Sequence, residues 1–503
     1  AQQAAERTAS TMSGRAGGAP SHSPPATEAN GGANALSPPP GVATACAERP
    51  LQVPGDPYSP SCVAFTGDNG GATSRGVTGD EIKVAIRIPA DPVADFSSAV
   101  AQLTGGDVTE TPEDVRRTSE ALLEYFNRTF QLYGRRIKAV EYQGRGALTR
   151  EILGGGQEQA NADAIKVESE IGAFADLSAF SQPYADALAR RKVMAFGAPY
   201  MSREWFSQRR PYAWSLAPDC SRLVEAGAEY ANKRLFGKPA AHAGDGLRGK
   251  PRKIAVIAPD NPIYQECLDA GLALMEAAGN EVAANISYTL DFASLSNQAA
   301  SIVSRLKSQG ITSVACGCDP VLPVYLTAKA NEQGYNPEWL VVGTALTDTD
   351  LVAQLYNQEQ WAHAFGGSAL GDQLPRRAGF GYHAYKAIRD DEPSLVVELL
   401  YYHLYMFALG VHQAGPNLTP ETFEAGMFSY TDPAVGRIGP AGMWGFGPGV
   451  YTAQQAAREI WWDPQRISAY NGKKGAYVVS SGWWRAGQIP AGDPGVFARA
   501  SAR

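Results

Sequence analysis

The chain is expected to be an α/β protein made of two successive doubly wound parallel sheets. Three observations carry that expectation. Short apolar runs alternate with amphipathic helical stretches from about residue 80 onward, and the same alternation restarts near residue 250. A Gly-, Pro- and Lys/Arg-rich loop, KPAAHAGDGLRGKPR (238–252), separates the two series. Strands spaced by helices pair in parallel through right-handed crossovers, which is how open α/β sheets are built.

Taken in order, residues 1–45 hold only Met12, Leu36 and Val42 as larger apolar side chains. Too little surface can be buried there to offset ordering entropy, so this Gly/Pro/Ala/Ser-rich stretch is expected to be a disordered spacer. It also has no apolar core of a leader, so a targeting segment is expected to be absent or already removed. Residues 46–79 form an extension in which Cys46 and Cys62 bracket a Pro-rich run. A disulfide between them is expected, since a crosslink over so short a loop contributes roughly 3 kcal/mol in the chain-entropy model.

EIKVAIRIP (81–89) reads as the first strand. Residues 111–134 begin with a Thr cap and Pro and stop at Gly134, the marks of a helix. Strand RRIKAVEYQG, helix QEQANADAIKVESEIG, strand GAFADLS, helix SQPYADALARRK and strand VMAFGAPY follow. The second series opens with KPRKIAVIAPDN (250–261) and a helix closed by Gly279. It continues through NEVAANISYTL, a helix over 295–309, GITSVACGCDP, VLPVYLTAKANEQG and EWLVVGTAL. Beyond 372 come helices over 374–390, 394–412 and 419–428, then a Gly/Trp-rich part with a late strand in GAYVVSSGWWR. These are expected to complete the two lobes: 80–217 with 372–432 as the first, 218–371 with 433–503 as the second.

Composition narrows the function. With 44 Lys and Arg against 51 Asp and Glu, the net charge of −7 gives no pull toward nucleic acid. The most apolar stretch, 394–412, is interrupted by Glu398, His403 and His412, so a buried core helix is expected rather than a membrane span. Six cysteines point to an oxidising, extracytoplasmic location. Cys220 pairs with Cys267 or Cys318 in this reading. No G-x-S-x-G elbow, Walker loop, H-E-x-x-H or EF-hand pattern occurs, so neither an enzyme nor a metal or other cofactor is expected. The Trp461–Trp462 and Trp483–Trp484 pairs read as packing for a hinge or lobe seam.

GVTGDEIKVAIRIP, YAWSLAPDCSRLVEAGAEYA, IAVIAPDNPIYQECL and DFASLSNQAASIVSRLKSQGITSV, in this order and spacing, resemble the type I solute-binding proteins of ABC importers, the leucine/isoleucine/valine-binding group. The resemblance runs from about 76 to 490. It implies two lobes joined by a hinge, a ligand held between them, and a membrane permease as partner. The alternatives are a ligand sensor of the same fold without transport and, further off, an α/β enzyme. A transcription regulator on this fold would need a basic N-terminal domain, and residues 1–45 carry two Arg and no Lys.

Ligands of such folds sit outside the carboxyl ends of strands. In the first lobe that logic selects Asp95, Phe96 and Ser97 after the first strand, Ser178, Phe180 and Ser181 after the third, and Tyr200 and Ser202 after the fourth. The second lobe offers Asp260, Asn261 and Tyr264, then Asp319, then Thr347 and Asp348. Each hydroxyl or carboxylate serves equally well as a helix cap, and Tyr264 as a core tyrosine. The resemblance implies that Tyr264 stacks on the ligand and that an acidic residue faces an ammonium. The Gly-Pro and Thr features of an amino-acid carboxylate clamp are missing. The expected ligand is therefore apolar or aromatic with one polar end, in preference to a small aliphatic amino acid.

Overall fold

The computed structural model describes residues 49–90, 110–291 and 293–497. The spacer, Cys46, Asp95, Phe96 and Ser97 lie outside the described residues, as does most of the 90–111 loop.

The first series of apolar runs forms β1 (Glu81–Ile88), β2 (Arg136–Gln143), β3 (Ala175–Ala179), β4 (Met194–Gly197) and β5 (Ala213–Trp214). They make one parallel sheet in the order β2-β1-β3-β4-β5. Helix α1 (Pro112–Thr129) shows why the sequence signals work. Thr111 Oγ accepts the Asp114 N–H, the Asp114 carboxylate takes the Thr111 N–H, and Pro112 opens the helix. Its Ala121, Leu122 and Phe126 are buried on the sheet. Helices α2 (Leu148–Ile152), α3 (Gln157–Ile165), α4 (Gln182–Arg190) and α5 (Arg203–Gln208) complete the crossovers.

The chain passes through α6 (Cys220–Tyr230) into the second sheet. Its strands are β6 (Ile254–Pro259), β7 (Ala284–Tyr288), β8 (Ser313–Cys316), β9 (Glu338–Val341) and β10 (Ala364–Ser368). The helices are α7 (Pro262–Ala277), α8 (Leu295–Ser308), α9 (Leu322–Glu332), α10 (Asp350–Ala353) and α11 (Gln358–Trp361). The chain then returns to the first lobe with α12 (Phe380–Lys386), α13 (Val397–Ala414) and α14 (Pro420–Tyr430). Helix α13 is the apolar 394–412 stretch. Its Tyr401, Tyr405 and Phe407 are buried in the first core, and no helix of the described residues is long and apolar enough to cross a membrane.

The chain ends with β11 (Arg437–Gly439), β12 (Gly442–Trp444), β13 (Arg458–Ile467) and β14 (Lys474–Val479). The second sheet runs β14-β13-β10-β9-β8-β6-β7, with β13 and β14 antiparallel. Its core, β10-β9-β8-β6-β7, is parallel as expected, and β13 and β14 extend it with antiparallel pairings. Trp462 of β13 is fully buried in the second core and donates to Gln358 Oε1 at 2.9 Å, so it is not at the seam. Trp444, Phe446, Tyr451 and Ala453 pack in the first core, so the expected boundary at 432/433 cuts through that cluster.

The extension before β1 is also anchored by packing. Tyr58 is fully buried, stacks on Trp444 with ring centroids 4.3 Å apart, and donates to Gly442 O at 2.6 Å. A crosslink is thus not all that orders this Pro-rich stretch. Cys62 is disulfide-bonded. Cys220 pairs with Cys267, not Cys318, and Cys316 pairs with Cys318.

Three crossings join the lobes. Ser215 on the first and Tyr451 and Ala453 on the third exchange backbone hydrogen bonds of 3.2 and 3.0 Å. On the second, Asp372 pairs with Arg458 at 2.6 Å.

Candidate functional site

The carboxyl ends of both sheets face one cavity of about 470 Å³. Phe180 follows β3, Tyr200 follows β4, Tyr264 lies in the first turn of α7, and Asp319 follows β8; all four line it. The lobes also touch across it. Ala345 N–H donates to Tyr200 Oη at 2.8 Å, and Asn261 Nδ2 donates to Ile152 O at 2.7 Å. Tyr200, Ala345 and Leu346 all have positive φ (61°, 48° and 63°). Left-handed backbone at non-glycine residues is strained and collects at functional sites.

The hydroxyls expected to clamp an anion are committed elsewhere. Ser178 Oγ donates to Asp176 at 2.7 Å and accepts the Arg87 N–H at 2.7 Å. Ser181 donates to Glu151, which also holds Arg87 through two hydrogen bonds of 2.8 and 2.7 Å. Ser202 caps α5 through the Trp205 N–H. In the second lobe, Asp260 accepts from Thr289 Oγ at 2.8 Å and Thr347 donates to Thr344 O at 2.7 Å. Asn261 caps α7 through the Ile263 N–H while reaching across to Ile152. Asp348 accepts from Ser368 Oγ at 2.6 Å and lines a separate, smaller cavity near the crossings. Burial pushes its carboxyl up to about 6.

Asp319 is the carboxylate that does face the main cavity. Tyr288 Oη donates to it at 2.6 Å, and its other oxygen takes the Val321 and Leu322 N–H groups. Burial still holds its pKa above the usual carboxylate range. The two other charged residues of the lining are likewise paired: Arg458 with Asp372, and Glu459 with Arg234 at 3.2 Å. What remains exposed to a guest is apolar and aromatic. The Phe180 ring lies 5.0 Å from that of His403, whose Nε2 bonds Leu177 O at 2.8 Å. Burial raises the Tyr264 phenol, which keeps it neutral.

Several lining residues escape a reading of loops alone. Ile152 comes from α2, Leu223 and Val224 from α6, Leu268 and Leu272 from α7. Their signal is a helical stripe: positions 264, 268, 271, 272 and 275 share one face of α7. The same stripe describes ordinary core packing, so only the neighbouring sheet reveals a space.

Comparison with known proteins agrees with this geometry. The family described as periplasmic binding protein matches residues 99–458. No curated protein matches the chain in sequence. Similar folds include a solute binding protein of an ABC transporter from R. palustris in complex with 4-hydroxybenzoate (14% identity, TM-score 0.55, covering 79% of this chain and 97% of that one). Another is the branched-chain amino acid transporter substrate binding protein LivJ from Streptococcus pneumoniae in complex with isoleucine (12%, 0.53, 80% and 100%). A third is a fatty acid ABC transporter substrate-binding protein from Thermomonospora curvata (15%, 0.55, 84% and 98%). At such identities the structures establish the fold, and with the family match the conclusion is that this chain belongs to the periplasmic binding protein family, the type I solute-binding proteins of ABC transporters.

Proposed function

We propose that the protein captures a small solute between its two lobes outside the cytoplasm and delivers it to an ABC import permease. The observation that carries this is the cavity shared by both lobes, with Phe180 and Tyr200 on one side and Tyr264 and Asp319 on the other. The first lobe in this reading comprises 80–217 and 372–432 with the 441–453 segment added; the second comprises 218–371 and the rest of 433–503. No chemical step is assigned to the protein. Two disulfides in the second lobe support an oxidising compartment.

The ligand is apolar or aromatic with one polar end. A zwitterion needs partners for both charges, because an unpaired buried charge costs several kcal/mol. Here the charged lining groups already have partners within the protein. Aromatic acid, fatty acid and branched-chain amino acid ligands all occur among proteins of this fold.

Calorimetry against a panel of aromatic acids, amphiphiles and aliphatic amino acids tests the reading. Aromatic or amphiphilic compounds should bind more tightly than leucine or valine. Tyr264→Ala should weaken them at least tenfold, roughly 1.4 kcal/mol. Tight leucine binding that ignores Tyr264→Ala contradicts both the site and the ligand chemistry.

A further inference from the structure

The two faces of the second sheet are packed differently. Side chains alternate along a strand, so Ala255 and Ile257 of β6 face one way and Ile254, Val256 and Ala258 the other. The first face is filled: Ile257, Trp339, Trp361 and Trp462 belong to one continuous buried cluster with side chains of α8 and α9. The second face carries Leu340 and Phe365 but only Ala258 and Ala315 on the strands opposite α6 and α7, and there the cavity runs on.

Its dimensions follow from the lining. The cavity touches β6 from Ile254 to Pro259, five steps of about 3.3 Å, hence about 16 Å. It touches α7 from Tyr264 to Met275, eleven steps of about 1.5 Å, which gives the same length. Leu223, Leu268 and Leu272 form the helical wall, and Val256, Ala258 and Ala315 the sheet wall. The wall is sealed where α6 meets α7. Cys220 is bonded to Cys267, and Gly271 lets the helices close up, since a Cβ there would lie 2.9 Å from Val224 Cβ. One end opens at Tyr200 and Tyr264; the far end of this length stops against Leu235, Ile254 and Met275, while Glu459 and Trp484 border the space on the β13 side.

We propose that this extension is a channel for a straight alkyl chain, and that the solute is a chain amphiphile whose polar end stays between the lobes; this rests on the capture function above. Apolar walls on both sides favour an apolar guest over water, since they offer water few partners. The shape also discriminates. It is apolar beyond the cleft and, at about 16 Å, longer than a compact aromatic acid or a branched amino acid would fill. With C–C bonds of about 1.5 Å, a zig-zag chain advances roughly 1.3 Å per carbon, so about 16 Å holds roughly twelve carbons.

The test is a chain-length series of n-alkanoates from butanoate to octadecanoate, with benzoate and isoleucine as controls, measured by calorimetry on delipidated full-length protein. Affinity should rise about fourfold per methylene and level off near twelve carbons. Ala315→Phe, which fills the sheet wall, and Leu272→Trp, which fills the helical wall, should both move the plateau to shorter chains. A lysophospholipid with a twelve-carbon chain is run beside dodecanoate: tighter binding of one or the other names a lipid or a free acid as the source of the chain. Affinity independent of chain length, or a plateau unmoved by both variants, overturns the channel. If benzoate or isoleucine binds while every alkanoate fails, the channel falls and the capture function stands. If nothing in the panel binds, both fall.

Discussion

Asp348 sits just beyond β9, buried, with Ser368 Oγ on one oxygen and the Arg458 guanidinium near enough to favour its charge. Burial outweighs both and lifts its carboxyl from 3.8 to about 6. Between about pH 4 and pH 6 the folded protein keeps a proton that the unfolded chain releases. Asp348 therefore supports stability most fully below pH 4, and that support is lost as pH rises toward and past 6, by up to about 1.4 kcal/mol per unit. Asp348→Asn keeps an acceptor for Ser368 and removes the titration. Thermal melts at pH 4, 5, 6 and 7 should show a shallower fall for the variant than for the natural protein. Some slope should remain from Asp56, which burial also raises to about 6. Parallel curves for the two proteins would refute the assignment. The serines teach a related lesson. Ser178 and Ser181 stand where the sequence permits a ligand clamp or a structural role; the choice is made by Asp176, two residues back in β3, and by Glu151, which folding brings alongside.

At the scale of elements, the strand–helix alternation was legible because each signal is local: Thr111 and Pro112 start α1, Asn261 and Pro262 start α7, and Gly279 follows its end. The antiparallel pair β13–β14 was only half legible: the late strand read in GAYVVSSGWWR covers β14, but β13 was not read as a strand. Pro464 interrupts the run from 458 to 467, and proline in a strand argues for an edge or a bulge. The register does shift between Asp463 and Ile467, while the strand continues on either side. The cavity under α6 and α7 was illegible for another reason. Leu268, Leu272 and Met275 have the spacing of a buried face whether or not the opposite sheet fills the space. The Cys220–Cys267 bond holds these two helices together across 47 residues. In the chain-entropy model a loop of that size is worth about 4 kcal/mol. The double variant Cys220→Ala/Cys267→Ala should lose about 2–4 kcal/mol in denaturant unfolding, with weaker alkanoate binding as the helices part. Unchanged stability would mean that packing alone holds α6 on α7.

At the scale of the molecule, two lobes with separate cores are joined by three crossings and meet across the cleft through side chains that can let go. Tyr200→Phe deletes the acceptor for the Ala345 N–H without changing shape. One such hydrogen bond is worth about 1 kcal/mol, enough to shift a balanced open–closed equilibrium about fivefold. The variant should bind its ligand more weakly, chiefly through faster release in stopped-flow measurements. Equal release rates would show that this contact does not hold the lobes together. The central claim is that the solute is enclosed by closure of the two lobes about the crossings. Small-angle X-ray scattering of delipidated protein, with and without the tightest binder of the calorimetric panel, tests it most directly. The account predicts a smaller radius of gyration on binding; an identical scattering profile at saturation would contradict it.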